Sequence, residues 1–95
     1  MKESYVYIMA NRCNGTFYIG ATVNIIRRVW EHKEGITEGF TKRYGIHRLV
    51  YYEIHDDIAN ALLRKKQLKK WKRHWKFRLI EENNENWDDL YDSLL

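Results

Sequence analysis

A chain of 95 residues is enough for one compact domain and too short for two. Its 44% hydrophobic and 15% aromatic content excludes wholesale disorder, and its apolar runs are too short for a membrane-spanning helix. The net charge of +4 conceals a polarity, because residues 81–95 carry −6 with no Lys or Arg and so leave +10 on residues 1–80.

In chain order, Tyr5-Val6-Tyr7-Ile8-Met9-Ala10 is β-branched and aromatic, which suits a strand. Asn14-Gly15 marks a hairpin turn, and Thr16 to Ala21 reads as the returning antiparallel strand. Asn24 is a good N-cap for a helix over 25–34, with Gly35 as its stop. Residues 36–47 contain Gly39 and Gly45 and read as a loop with a short helical turn. A third strand over 48–54 is apolar enough to be central. Asp56 or Asp57 then caps a helix over 58–70 that is expected to continue to about residue 82. Asn83-Asn84 breaks it, and residues 87–91 form a short closing helix that packs Trp87 and Leu90 inward. The order β-β-α-β-α-α predicts a small mixed or antiparallel three-stranded sheet flanked by helices, with residues 4–92 as one folding unit.

Cys13 is the single cysteine, so neither an internal disulfide nor a multi-cysteine zinc site is available. With no secretory h-region in residues 1–12, the expected location is the cytoplasm. Nine of the fifteen residues 64–78 are Lys or Arg and none is acidic. Such a density attracts polyanions, and nucleic acid is the first partner to consider. A solvated helix face, or an amphipathic helix on an anionic membrane or in a partner's groove, would show the same charges.

Periodicity picks out polar residues facing inward. At about 100° per residue, Ala61, Leu62 and Leu68 define one stripe of the second helix and Lys65 falls in its middle. Either its stem snorkels outward or the stripe opens onto a polar pocket. On the first helix, Ile25 and Val29 face inward, and Arg28 and His32 sit one turn apart at that face's edge, where they can address one anion. An exposed amphipathic pair is the plain alternative. Tyr7 and Tyr18, one on each hairpin strand, are open to either face by parity.

Taken together, Tyr5-Val6-Tyr7, Tyr18-Ile19-Gly20 and Arg28-x-x-x-His32 resemble the GIY-YIG nuclease family, and its small single-domain bacterial members in particular. The similarity extends through Gly39-Phe40-Thr41-Lys42-Arg43-Tyr44 and Leu49-Val50-Tyr51-Tyr52-Glu53 to Asn84-x-x-Trp87-x-x-Leu90-Tyr91. The resemblance implies a single α/β (α+β) domain over 1–95, with a three-stranded antiparallel sheet flanked by helices. It also implies a metal-dependent endonuclease that hydrolyses phosphodiester bonds with Mg²⁺ or Mn²⁺. On that basis Tyr7 matches the general base and Tyr18 the residue that places the scissile phosphate or the nucleophile. Arg28 matches the group that stabilises phosphorane charge, and His32 the acceptor of a hydrogen bond or proton from a catalytic tyrosine. Asn84 matches a supporting asparagine.

The family's metal-binding glutamate falls in the run Ala61-Leu62-Leu63-Arg64-Lys65-Lys66-Gln67, at Lys65. A protonated lysine has no lone pair and repels a cation, so the expectation is an impaired site with no metal ligand. Glu31 and Glu53 are the carboxylates that would have to substitute, and Glu31 is turned away from its helix's inner face. Nucleic-acid contacts are expected from Lys42, Arg43, Lys69, Lys72, Arg73 and Lys76, with DNA ahead of RNA, no membrane partner, and a monomer or weak homodimer. Three readings follow: an impaired nuclease, a non-catalytic nucleic-acid-binding module clamped by residues 64–78, and a membrane-surface or partner-helix protein.

Overall fold

A computed structural model describes residues 3–36 and 39–95. Strands β1 (Ser4–Ala10) and β2 (Phe17–Thr22) form the hairpin, and β3 (Arg48–His55) pairs with the other side of β1. Both pairings are antiparallel, in the order β2-β1-β3. The third strand is therefore an edge and the first is central. Residues 6–10 are all fully buried because helices cover both faces of β1, whereas Ile54 on β3 is 59% exposed. Apolar content alone did not separate a strand covered on both faces from an apolar edge strand.

The two faces carry two cores. Val6, Ile8 and Ala10 pack with Ile19, Val50 and Tyr51 against Ala61 and Leu68 of α3 (Ile58–Lys70), Ile80 of α4 (Arg73–Asn83) and Trp87 beyond it. Tyr7 and Met9 pack on the opposite face with Leu49, Ile46 and the Ile25 and Val29 side chains of α1 (Ile25–Lys33). Asn24 caps α1 by accepting from the Arg27 amide at 3.1 Å, and Asp57 caps α3 from the Asn60 amide at 2.8 Å. The short turn in the loop is α2 (Phe40–Arg43).

Two further expectations are corrected. The second helix does not run on to residue 82: Trp71 and Lys72 are extended, with ψ of 151° and 149°, and α4 starts afresh. A straight helix from 58 to 83 would span about 39 Å at 1.5 Å per residue, beyond the molecule's longest extent of 34 Å. The break lets α4 fold back so that Phe77 and Ile80 reach the core. The closing helix lies later than expected, as a 3₁₀ turn at Tyr91–Leu94. Trp87 is nonetheless fully buried, edge-on to Phe77 at 5.0 Å, with its indole donating to Glu81 Oε2 at 2.9 Å.

Residues 84–94 pass around the β3 edge, with Trp87 in one core and Leu90, Tyr91 and Leu94 against the other. A register shift between β1 and β3 creates the opening, since Ile8 faces Tyr51 and Met9 faces Leu49. The Val50 carbonyl accepts from Asn84 Nδ2 at 3.0 Å, and the Leu49 amide donates to Asp89 Oδ1 at 3.1 Å.

Candidate active site

Tyr7 lies at the centre of the central strand and crosses over β2 at Gly20, its partner in register. A Cβ on Gly20 would overlap the Tyr7 hydroxyl and ring, so the glycine is required by close approach and not by its backbone angles. That fixes the parity left open by the sequence: Tyr7, Tyr18 and α1 share one face of the sheet. The rings of Tyr7 and Tyr18 are 6.4 Å apart, and His32 lies 6.0 Å from one and 5.5 Å from the other.

The Tyr7 hydroxyl is 3.2 Å from His32 Nε2, and His32 Nδ1 is 3.1 Å from Thr41 Oγ1. Burial, assisted by the charge of Arg28, pushes the His32 imidazolium down to about 4, so the ring is neutral at neutral pH. Both neighbours are hydroxyls, so either neutral tautomer satisfies the two contacts, and the one protonated at Nδ1 leaves Nε2 open to accept from Tyr7. Burial pushes the Tyr7 phenol up to about 12, and the Arg28 guanidinium beside it pulls the other way. Arg28 is half-buried and also donates to Glu31 Oε1 at 3.2 Å.

Tyr7, Tyr18, Arg28 and His32 thus converge from three elements. Asn84 does not join them. Its amide bonds the Val50 and Asp88 carbonyls and accepts from the Asp88 amide, which makes it the clasp of the C-terminal segment. Thr41 was not singled out from sequence: it meets His32 across a loop, at a separation that no helix or strand period marks. Glu31, expected to turn away, sits at the site's rim, between Arg27 at 3.3 Å and Arg28.

The described residues do not fit a divalent metal. Among the described residues no three His, Cys, Asp or Glu side chains come together. The Glu31 carboxylate is taken by two guanidiniums, and Glu53 accepts from Arg64 at 2.7 Å, from His55 and from Tyr51. Lys65 is half-buried on α3 between Ala61 and Leu68, the buried residues of that helix. Lys42, Arg43, Lys69, Lys72 and Arg73 are exposed and Lys76 is half-buried. None of the six forms an ion pair among the described residues.

An antiparallel three-stranded sheet with a Tyr-Tyr-Arg-His cluster on its α1 face defines a nuclease-type scaffold, and the comparisons with known proteins agree. The model of the GIY-YIG catalytic domain matches residues 3–79, and the chain belongs to that family. It is 39% identical over 87 residues to a UPF0213 protein of Syntrophus aciditrophicus, covering 90% of this chain and 98% of that one. It is 36% identical over 84 residues to a UPF0213 protein of Staphylococcus aureus, covering 86% and 99%. The solution NMR structure of a UPF0213 protein from Bacillus halodurans superposes with a TM-score of 0.56 at 25% identity, over 92% of each chain. The family is generally metal-dependent. No helix among the described residues is long and apolar enough to cross a membrane.

Proposed function

We propose that this chain holds a nucleic-acid phosphodiester, DNA ahead of RNA, at Tyr7, Tyr18, Arg28 and His32, and that Lys65 impairs hydrolysis there. The observation that carries this reading is the buried Tyr7–His32 hydrogen bond, flanked by Tyr18 and Arg28. With its phenol pushed up to about 12, Tyr7 holds little phenolate near neutrality. It acts instead as a relay, taking a proton from the attacking water as its own proton passes to neutral His32 Nε2. Arg28 offers its guanidinium to the charge that builds on phosphorus, where one well-placed donor is worth about 10²–10³ in rate. With Lys65 where a metal-binding carboxylate would stand, the leaving oxygen lacks the metal ion that would neutralise it, which is the source of the impairment.

Nicking of supercoiled plasmid tests this, with Mg²⁺ and with Mn²⁺, for the chain itself, for Lys65→Glu and for Lys65→Glu/Tyr7→Phe. The expected result is cutting by Lys65→Glu alone. Equal cutting by the unaltered chain would overturn the role given to Lys65, and equal cutting by the double variant would overturn that of Tyr7. A second reading, a non-catalytic nucleic-acid-binding module, is favoured by the missing metal-ligand set. It predicts binding with no cleavage by any of the three. The chain is taken to act in the cytoplasm as a monomer or weak homodimer.

A further inference from the structure

The outer edge of β2 is lined by cations set over aromatic rings. Lys69 Nζ stands over the Tyr18 ring at 6.0 Å, and Lys76 Nζ over Phe17 at 5.5 Å. The Arg73 guanidinium lies between Phe17 and Phe77, at 5.2 and 4.7 Å, and donates to the Gly15 carbonyl at 3.0 Å. Lys76 Nζ donates to the Lys69 carbonyl at 3.2 Å, which ties the end of α3 to the first turns of α4. Lys65 lies one turn before Lys69 on the same side of α3, half-buried. The row therefore starts inside the helix stripe, passes Tyr18 of the candidate site and ends at the hairpin turn.

None of these four cations has a carboxylate partner among the described residues; the ion pairs there are all made elsewhere. Partial burial disfavours the charge on Lys76, and the charges of Arg73 and Lys69 disfavour it further. Stacking on aromatic faces is weak at exposed sites, and it does not require like charges to be gathered. A merely solvated face would let its lysines spread apart. Gathered, unpaired cations beside Tyr18 are matched by a polyanion.

Building on the nucleic-acid reading above, we propose that Lys65, Lys69, Arg73 and Lys76 grip the phosphate backbone next to Tyr18 without any divalent ion. Lys65 and Lys69 bring the same formal charge that a divalent cation would bring, and they repel such a cation from that place. Added Mg²⁺ then acts only as a competing counterion. It weakens binding, whereas a site bridged by a metal would bind more tightly.

Fluorescence anisotropy of a short labelled DNA duplex tests this at constant ionic strength, with EDTA or with Mg²⁺. The expected result is binding in EDTA that Mg²⁺ weakens. Lys69→Met and Lys76→Met should each lower the slope of log affinity against log salt by about 0.9, the share of one phosphate contact. Lys66→Met removes the same charge from an exposed position outside the row and should change the slope far less. Lys65→Glu should bind weakly in EDTA and regain affinity with Mg²⁺, and thermal melting checks that each variant is folded. Tighter binding by the unaltered chain in Mg²⁺, or equal slopes for Lys66→Met and the row variants, overturns the row while leaving the nucleic-acid reading standing. Absence of binding by every version overturns both.

Discussion

At Tyr7 and His32 the same burial acts on two groups in opposite senses, holding the phenol protonated and the imidazole unprotonated. The His32 side gives a stability that depends on pH. Its imidazolium is favoured in the unfolded chain below about 6.5 and in the folded chain only below about 4, so the unfolded chain binds more protons in between. Stability is fully present above pH 6.5 and falls as pH drops toward 4. At 1.36 kcal/mol per pH unit, about 2 kcal/mol should be lost between pH 7 and pH 5. Urea unfolding at the two pH values measures this, and His32→Gln should flatten the profile across that window. Glu53 and Asp89, both held below the usual carboxylate range despite burial, add their own loss only at lower pH. An unaltered slope in His32→Gln would show that another group carries it. Arg28 and His32 could be placed together from sequence, since their spacing of four fixes one direction on a helix. The crossing of Tyr7 over Gly20 could not, because strand parity is silent until one face is known to be covered.

The elements repeat this contrast between local and remote information. Caps, turns and strands are written in adjacent residues, and Asn24, Asp57 and the hairpin turn at 11–15 lie where the sequence put them. The break at Trp71-Lys72 and the edge position of β3 are set by what packs against those segments from elsewhere in the chain, so no window of neighbouring residues reveals them. Asn84, matched by resemblance to a supporting asparagine, has its partners outside the cluster, and in this fold its amide closes the bulged edge of β3. Asn84→Ala leaves the Val50 carbonyl and the Asp88 amide without their partner and should cost about 1–3 kcal/mol in urea unfolding. Asn84→Asp keeps the acceptor for the Asp88 amide but turns a carboxylate oxygen against the Val50 and Asp88 carbonyls, so it should cost at least as much. DNA affinity of the folded protein should not change in either variant. A drop in affinity at unchanged stability would instead return Asn84 to the site.

Over the whole molecule, the charge polarity seen along the sequence becomes a polarity in space. The cations on Lys69, Arg73 and Lys76 line the β2 edge, while the acidic C-terminal segment wraps the β3 edge at the other side of the sheet. Part of that acidity is used internally, with Asp89 paired to Lys33 and Glu82 to Arg78 at 3.4 Å. The remainder repels a polyanion from the β3 side, so the two edges together orient the approach with β2 foremost. Lysine acetylation read by mass spectrometry, with and without a DNA duplex at low salt, checks this orientation. Lys69 and Lys76 should be protected by DNA, and Lys33, held beside Asp89 and Tyr91, should react equally in both samples. The protection should fade as salt is raised, because released counterions drive the association. Protection centred on Lys33, or spread evenly over all lysines, would mean that the edge charges do not steer binding. The basic patch would then be an ordinary solvated surface.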